Sequence, residues 1–282
     1  MAELQTLMTG IAMGESPRWH DDRLWFADWG AGEIIATGAD GASEVVLRRQ
    51  SLPLSIDWLP DGRLLLVSGR DGLLLRRETD GSLVTHADLT RISDKPWNEI
   101  LVDGRGNAYV NTIGFDFPGG EFALGSVALV TPDGSVRQVA DGLAFPNGLA
   151  ITADNTTLIV AESYGSRLTA FEIGSDGSLA NRRVWAELDG EHPDGICLDA
   201  DNAVWFADVG RKHCVRVREG GEVLQTVDVD RGCFACMLGG IGGTTLFIVA
   251  NAWPLPADMT AEGGRTGRVF SVDAPAARAG FP

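Results

Sequence analysis

The sequence predicts an all-β protein: a six-bladed β-propeller with four-stranded blades, in a single domain spanning residues 1–282. A hairpin pattern recurs six times, and its copies begin about 40 to 50 residues apart, a period typical of propeller blades. Hydrophobic residues make up 44% of the chain, and 36 glycines supply tight turns. No long helical pattern interrupts the repeat, so we expect one globular β-domain.

The repeated hairpin is clearest at Pro193 to Leu198, which is followed by the turn residues Asp201-Asn202 and the strand Ala203 to Asp208. A polar residue opens a strand of alternating apolar positions, and a second, nearly all-apolar strand follows the turn. We align the six copies on the residues that open their first strands, which are Glu15, Leu54, Asn98, Asn147, Asp194 and Cys236.

Each unit leaves room for two outer strands, such as Ile34 to Thr37 followed by Glu44 to Leu47. Asp-Gly pairs, as at Asp40-Gly41, stand where the hairpin turns belong. We expect Glu3 to Met8 to pair beside Arg268 to Val272 and so close the ring, leaving few exposed sheet edges. An open all-β sandwich is the alternative, and the regular spacing along the whole chain argues against it.

Two irregular stretches are candidates to cover the central opening. Gly114 to Gly125 carries Phe115, Phe117 and Phe122 among glycines, and Trp253 to Thr266 lies in the sixth repeat. Loops at propeller openings often carry function, although either stretch could equally be a passive connection.

Composition narrows the range of partners and compartments. The formal charge of −16 repels phosphate backbones, so we expect no nucleic-acid partner. No apolar run approaches the roughly 20 residues of a membrane span, and no secretory pattern opens the chain; we therefore expect a cytoplasmic protein without a membrane partner. The spacing of the four cysteines suggests no disulfide framework. The single C-x-x-C motif contains Cys233 and Cys236, which we interpret as buried apolar residues.

The opening positions predict a metal site. The first strand of each propeller blade lines the central channel, so equivalent positions form a ring. Glu15, Asn98, Asn147 and Asp194 would face a shared axis, where two carboxylates would repel each other unless a cation bound between them. Hard oxygen ligands favour Ca²⁺, with Mg²⁺ or Mn²⁺ next; Zn²⁺ or Fe²⁺ is less expected without His or Cys among these four positions. The alternative is that these side chains cap nearby backbone groups.

These residues and their neighbours also resemble a known family. The resemblance rests on Gly14-Glu15-Ser16-Pro17 with Trp19, on Asn98, on Pro146-Asn147-Gly148-Leu149 and on Asp194-Gly195. Together they look like the gluconolactonase, regucalcin (senescence marker protein) and luciferin-regenerating-enzyme family. The resemblance implies a six-bladed propeller that holds one divalent cation and hydrolyses sugar lactones.

By position, the resemblance implies that Glu15, Asn147 and Asp194 are metal ligands and that Asn98 contacts substrate or completes the metal shell. It also makes Asp194 the catalytic acid or base. Sugar-lactone hydrolases of the family tend to carry an arginine two residues before the Asn98 position. Here Pro96 stands there, with Trp97 beside it, which favours a less polar substrate than a sugar lactone.

The predicted function is metal-dependent opening of a lactone or related ester, in which a cation polarises the carbonyl group. Asp194 would act as general base or as nucleophile. His192 lies two residues away and is a candidate proton shuttle. A non-catalytic small-molecule or calcium-binding propeller, and a phosphotriesterase at the same metal site, remain as alternatives.

An apolar pocket wall is the last expectation. Aromatic residues stand close to the ends of the expected inner strands, and we predict substrate contacts by Trp97, Phe115 and Tyr164, together with Asn98. Trp29 and Trp253 are further candidates for the same wall. Packing between blades is the alternative role for all five aromatic residues.

Overall fold

Six antiparallel four-stranded sheets make up the protein, and they are arranged as the blades of a propeller. The structure is a computed structural model that describes residues 3–261 and 263–281. Each sheet except the last uses four strands that are consecutive in the chain. The predicted all-β propeller is therefore confirmed. Within the described residues, no helix is long and apolar enough to cross a bilayer.

The first three blades follow β1 (Gln5–Ile11), and in each the strands are given from the innermost to the outermost. Blade 1 contains β2 (Gly14–His20), β3 (Arg23–Asp28), β4 (Glu33–Thr37) and β5 (Ser43–Arg48). Blade 2 contains β6 (Leu54–Trp58), β7 (Leu64–Ser68), β8 (Leu73–Arg77) and β9 (Leu83–Asp88). Blade 3 contains β10 (Trp97–Val102), β11 (Ala108–Thr112), β12 (Gly125–Val130) and β13 (Val136–Leu143).

The last three blades repeat this order. Blade 4 contains β14 (Pro146–Ile151), β15 (Thr157–Glu162), β16 (Arg167–Ile173) and β17 (Leu179–Glu187). Blade 5 contains β18 (Pro193–Leu198), β19 (Val204–Asp208), β20 (His213–Val217) and β21 (Val223–Asp228). Blade 6 contains β22 (Gly232–Gly239), β23 (Thr245–Asn251) and β24 (Gly267–Asp273), and β1 is its outermost strand.

The ring closes through the amino-terminal strand. β1 pairs antiparallel with β24, from Gln5 opposite Ser271 to Ile11 opposite Gly267. The predicted pairing is confirmed, although β1 runs three residues further than the expected segment ending at Met8. The buried Asn251 amide donates a hydrogen bond to the Ala12 carbonyl at 2.5 Å, which ties blade 6 to blade 1 on the inner side.

Apolar packing between neighbouring blades forms the core. The second strand of each blade is nearly all apolar because both of its faces are covered, as at Leu158–Ala161 of β15. Trp205 and Phe206, successive residues of β19, point to opposite faces and are both fully buried. Burying one such side chain contributes about 1.5–3 kcal/mol, so the repeated strand pattern supplies the stability of the ring.

A local irregularity follows the polar residue of four inner strands. In β2, β10, β14 and β18, one extra residue is accommodated near the opening of the strand. Such bulges bend a strand and change where a side chain points. β6 of blade 2 pairs with β7 without any shift, and Leu54 at its opening is an apolar core residue.

The alignment of the sixth repeat on Cys236 is wrong. β22 opens at Gly232, opposite Asn251, just as β18 opens at Pro193, opposite Asp208. The counterpart of Asp194 is therefore Cys233. The offset arises because β22 is longer than the other inner strands and carries its own bulge after Cys233.

Carboxylates at the ends of second strands hold the segments that lead into the inner strands. Asp28 accepts hydrogen bonds from the backbone N–H groups of Ala12 and Met13, both at 2.9 Å. Asp208 accepts one from the His192 N–H at 2.6 Å in the same way. These contacts fix the backbone just before Glu15 and Asp194.

The carboxyl-terminal segment lies across the opposite end of the inner strands. Isolated bridges pair Arg278 with Asp199 and Phe281 with Ile151, in blades 5 and 4. The Arg278 guanidinium also donates to the Trp19 carbonyl of blade 1 at 3.2 Å. The segment therefore joins three blades at the end of the channel remote from Glu15 and Asp194.

Candidate metal centre

Four polar side chains stand near the openings of the inner strands of blades 1, 3, 4 and 5. They are Glu15, Asn98, Asn147 and Asp194, and each is the second residue of its strand. The Asn98 amide donates a hydrogen bond to the Asn147 side-chain oxygen at 3.3 Å. The strand is bulged next to each of these residues, and such bulges change where a side chain points.

The two carboxyl groups of this set influence each other. Burial raises the pKa of Glu15 well above its usual value, and the negative charges of Asp194 and Glu99 raise it further. Burial likewise raises the pKa of Asp194 well above its usual value, with added repulsion from Glu99 and Asp208, while the Asn147 amide acts in the opposite direction. Like charges held together in a buried site produce such shifts.

One oxygen of this set has no hydrogen-bond partner. Among the described residues, Oδ1 of Asp194 is buried and accepts nothing. An unpaired buried carboxylate oxygen is costly, and a cation removes that cost. The residues present therefore fit a divalent ion with oxygen ligands, which Glu15, Asn98, Asn147 and Asp194 could supply.

A second group of buried charges lies deeper in the channel and was missed from the sequence. Arg18 donates to Glu99 Oε1 at 3.1 Å, and its Nε lies 3.9 Å from Oδ2 of Asp57. Burial raises the pKa of Asp57 to about 6, although Arg18 and two backbone N–H groups act against it. The available signal was a charged residue within each of the inner strands β2, β6 and β10.

The charges of the channel do not balance. Glu15, Asp57 and Glu99 are buried and Asp194 is half-buried, and Arg18 forms ion pairs with Glu99 and Asp57. Full ionisation would leave an excess of negative charge in a medium of low dielectric constant. This excess is the electrostatic basis for a cation site.

Ser163 and His192 support the ring from outside and were also not identified as its supports from the sequence. The Ser163 hydroxyl donates to the Pro193 carbonyl at 2.7 Å and accepts from the Asn147 amide nitrogen at 3.4 Å. Nδ1 of His192 lies 2.8 Å from the Ser163 carbonyl, while its ring is exposed. A role for His192 in proton transfer stays a prediction.

Five aromatic rings form a continuous cluster beside the ring of polar residues. They are Phe115, Phe117, Phe122, Phe145 and Tyr164, with ring centres 4.8 to 6.2 Å apart where they touch. Phe145 precedes Asn147 by two residues, and Tyr164 follows Ser163. About half of the surface of Phe117, Phe122 and Tyr164 is exposed, so the cluster presents an apolar face to solvent at the channel end that carries Asn147.

The remaining aromatic candidates differ in their placement. Trp97 is fully buried in the packing between blades 2 and 3, so it offers no surface to a ligand in this conformation. Trp29 donates its indole N–H to the Leu54 carbonyl. Trp253 is 46% exposed and packs edge-on against Phe234, on the side of the channel formed by blade 6.

A further group of possible ligands lies at the same end of blade 5. Atoms of Glu191, Asp208 and His213 lie within 4.8 Å of one another, and Nε2 of His213 is 2.8 Å from Oε2 of Glu191. Asp208 already accepts two backbone hydrogen bonds, from His192 and Arg211. The group therefore already holds the backbone of the segment that leads to Asp194.

A cleft of about 330 Å³ lies elsewhere, between blades 1 and 2, and is lined by His20, Trp25 and Trp58 among others. It opens where β2 and β6 end, away from Glu15. The channel is the better candidate for chemistry, because it holds the buried, unbalanced carboxyl groups.

The fold and the ring of oxygen-bearing side chains define the class of this protein as a six-bladed β-propeller with a candidate metal centre on its axis. Sequence comparison identifies the family. The chain belongs to the SMP-30/gluconolactonase/LRE-like family, whose model matches residues 13–252. The predicted family is confirmed.

Individual proteins are similar to this chain in sequence or in structure. Diisopropyl-fluorophosphatase of Loligo vulgaris is 29% identical over 209 residues, which cover 65% of this chain and 65% of that enzyme. Pentonolactonase XacC of Haloferax volcanii is 26% identical over 217 residues, covering 73% and 70%. The structure of a calcium-binding protein, regucalcin, from Agrobacterium tumefaciens superposes with a TM-score of 0.79 at 20% identity, covering 99% and 97% of the two chains.

Proposed function

We propose that this protein is a metal-dependent hydrolase that opens a lactone or a related cyclic ester. The observation that carries the proposal is the buried Oδ1 of Asp194, which has no partner within the described chain and belongs to a carboxyl group that burial and its neighbours disfavour as an anion. The family name and the similarity to a pentonolactonase support lactone hydrolysis as the reaction.

Glu15, Asn98, Asn147 and Asp194 would hold the cation, and Ca²⁺ is the ion we propose. Oxygen-only ligands favour Ca²⁺ over softer ions, and a structural neighbour is a calcium-binding protein. When bound, the ion would supply a Lewis acid for the ester carbonyl group.

Residues of the chain would move the proton, orient the substrate and orient the metal ligands. Asp194 would take a proton from the attacking water, or attack the carbonyl itself. The Asn98 amide, held by its hydrogen bond to Asn147, would orient the substrate. Ser163 would keep the Asn147 oxygen facing the channel by occupying its amide nitrogen.

The aromatic cluster at the mouth supports a substrate with an apolar substituent. Half-exposed rings of Phe117, Phe122 and Tyr164 would cover an acyl chain or an aryl group. Pro96 stands where sugar-lactone hydrolases of the family tend to carry an arginine, and this agrees with the same preference.

Hydrolysis of a panel of lactones by the purified protein, followed in a pH-stat with Ca²⁺ present, tests the proposal. We expect turnover that a chelator abolishes and Ca²⁺ restores. Asp194→Asn should lose turnover by at least about 1,000-fold while melting normally. Asp22→Asn, at an exposed turn at the far end of β2, is the matched control and should retain full activity.

Phosphotriester hydrolysis is the second candidate, because the similarity to diisopropyl-fluorophosphatase points to phosphorus esters as substrates of a related site. Fluoride release from a fluorophosphate, measured with the same variants, separates the two reactions. Retention of metal without turnover on lactones, esters or phosphotriesters would instead identify a non-catalytic binding protein. The cytoplasmic location and the lack of a nucleic-acid partner stay predictions from the sequence.

A further inference from the structure

The cleft between blades 1 and 2 has the size of a small-molecule site. Its volume is about 330 Å³, within the range of ligand pockets in proteins. A cavity of about 150 Å³ is enough for benzene, so the cleft accommodates a molecule of one or two rings. It opens at the end of the propeller remote from Glu15, and the proposed hydrolysis uses none of its residues.

Three flat side chains form an aromatic wall of the cleft. His20 and Trp58 stack with ring centres 4.1 Å apart and planes 11° from parallel. Trp25 meets Trp58 edge-on at 5.2 Å and donates its indole N–H to the His20 carbonyl at 3.0 Å. Burial lowers the pKa of His20, although Asp21 acts in the opposite direction, so the imidazole is uncharged at neutral pH. The aromatic wall therefore offers a flat, uncharged surface to a ligand.

One cation that lines the cleft has no partner. Arg77 ends β8 and is half-buried, and within the part of the chain that the structure describes its Nε is buried without an acceptor. Leu75, two residues earlier on the same face of β8, packs in the core between blades 1 and 2. Arg77 therefore faces blade 1 and the cleft, where its terminal nitrogens can receive a ligand from solvent.

The other charged groups around the cleft are paired or solvated. Asp61 accepts hydrogen bonds from Nε and Nη2 of Arg63 at 2.9 and 2.6 Å. Glu78 pairs with Arg76 at 2.6 Å and lies 3.5 Å from Arg63. The Asp21 side chain is 83% exposed, so water and salt screen its charge. An anion in the cleft thus meets one unpaired cation, whereas a cation would meet no unpaired buried carboxylate among the described lining residues.

We propose that this cleft binds an aromatic carboxylate of one or two rings. The ring system would lie against Trp58 and Trp25, which line the cleft. The carboxylate would accept two parallel hydrogen bonds from the terminal nitrogens of Arg77, the arrangement that arginine and carboxylate groups favour. An aliphatic acid would lack the ring contacts and a neutral arene would lack the charge, so the two features together define the class of ligand.

Titration of ¹⁵N-labelled protein with cinnamate, followed by NMR through the tryptophan indole N–H signals, tests the proposal. We expect the Trp58 signal, assigned from its loss in Trp58→Phe, to shift with a Kd of about 4 mM or tighter. The Trp253 signal, at the mouth of the channel, should not move. The neutral analogue cinnamamide should bind at least about tenfold more weakly, and the saturated acid cyclohexanepropionate at least about threefold more weakly.

Variants of two arginines in blade 2 test the charge contact. Arg77→Gln should weaken cinnamate binding by at least about tenfold and leave cinnamamide binding unchanged. Arg70→Gln, the same change of charge at an exposed turn before β8, is the matched control and should bind cinnamate as the wild type does. An Arg77→Gln protein that folds and keeps the full affinity would contradict the proposal.

The wild-type comparisons do not depend on whether any variant folds. The proposal is overturned if cinnamate binds no more tightly than cinnamamide. It is also overturned if the Trp253 signal shifts and the Trp58 signal does not, because the ligand would then lie at the channel mouth. Tighter binding of benzylammonium than of cinnamate would assign the cleft to cations and overturn it as well.

Discussion

Ser163 shows how one hydroxyl group can set the orientation of a ligand. An asparagine amide can present either its oxygen or its nitrogen to the channel. The Ser163 hydroxyl donates its own proton to the Pro193 carbonyl, so only its lone pairs remain for Asn147, and these attract the amide nitrogen. The Asn147 oxygen is therefore left to face Asn98 and the proposed cation.

Removing this hydroxyl tests the role of Ser163. We expect Ser163→Ala to weaken Ca²⁺ binding by about 10- to 100-fold, the usual cost of losing a partner of a metal ligand. Calorimetric titration with Ca²⁺ measures the affinity. Ser43→Ala, at an exposed position in β5, should bind as the wild type does; an equal loss in both variants would assign the effect to stability.

The sequence was informative about single residues only where the repeat made them comparable. Glu15, Asn98, Asn147 and Asp194 were recognised because each opens an inner strand at the same point of the pattern. Ser163 follows a second strand with no marked pattern, and its contact with Pro193 depends on how blades 4 and 5 pack. Such a contact is set by tertiary structure, which strand periodicity does not describe.

At the scale of the element, the bulge near the start of each of these inner strands positions a side chain that could bind the metal ion. Gly148 follows Asn147 at such a bulge, and a Cβ there would lie 2.5 Å from the Asp194 carbonyl and 2.6 Å from the Ile196 nitrogen. The absence of a side chain therefore lets the inner strands of blades 4 and 5 approach closely. Strand periodicity alone did not reveal this extra residue, which is why the alignment of blade 6 was misplaced.

Adding one methyl group tests this close approach. We expect Gly148→Ala to lower the free energy of unfolding by about 1–3 kcal/mol and to weaken Ca²⁺ binding, because β18 must move away with Asp194. Thermal melts and Ca²⁺ titration measure both effects. Gly210→Ala is the control, since its Cβ would meet only the Asp208 carboxylate, at 3.6 Å. Unchanged Ca²⁺ affinity in Gly148→Ala would contradict the coupling.

The long connection between β11 and β12 offers another test at this scale. We expect Phe117→Ala and Phe122→Ala to raise KM about tenfold for an aryl-substituted lactone and to leave a small polar lactone nearly unaffected. Both rings are about half exposed, so stability should change little. Equal effects on the two substrates in steady-state kinetics would exclude a role in recognition.

At the scale of the whole molecule, the buried carboxyl groups couple stability to pH and to metal. In the metal-free protein the pKa values of Glu15 and Asp194 lie well above their usual values, and that of Asp57 is about 6. At these three groups the folded state therefore holds more protons than the unfolded chain above about pH 4. The stability that they contribute falls as pH rises through that window, which for Asp57 extends to about pH 6, while the lowered pKa values of His20 and His86 act in the opposite direction.

Thermal melts in the presence of a chelator should show this dependence. We expect the melting temperature to decrease between about pH 5 and pH 7, and Ca²⁺ at about 100 times its Kd to restore about 2.7 kcal/mol. Hydrogen-bond partners lower the pKa values of exposed carboxylates such as Asp61 and Asp71. The stability that these carboxylates contribute is lost only at lower pH. A Glu15→Gln/Asp194→Asn protein should give a flatter profile and no Ca²⁺ response.

The overall architecture was the most predictable property of the chain. Six copies of one hairpin, each with apolar second strands, admit few arrangements other than a closed ring. The charges deep in the channel were less predictable, because Arg18 and Glu99 lie 81 residues apart in sequence. Their pairing follows from the closure of the ring and not from any local pattern.

Pairing of β1 with β24 also sets an order of events during synthesis. β1 is synthesised before the five blades that follow it but belongs to blade 6, so its edge has no partner until residues 267–273 have been translated. Five blades can assemble in sequence, but the sixth needs strands from both before and after them. A nascent chain stalled before β24 would carry a full set of the four proposed ligands in a ring that is still open.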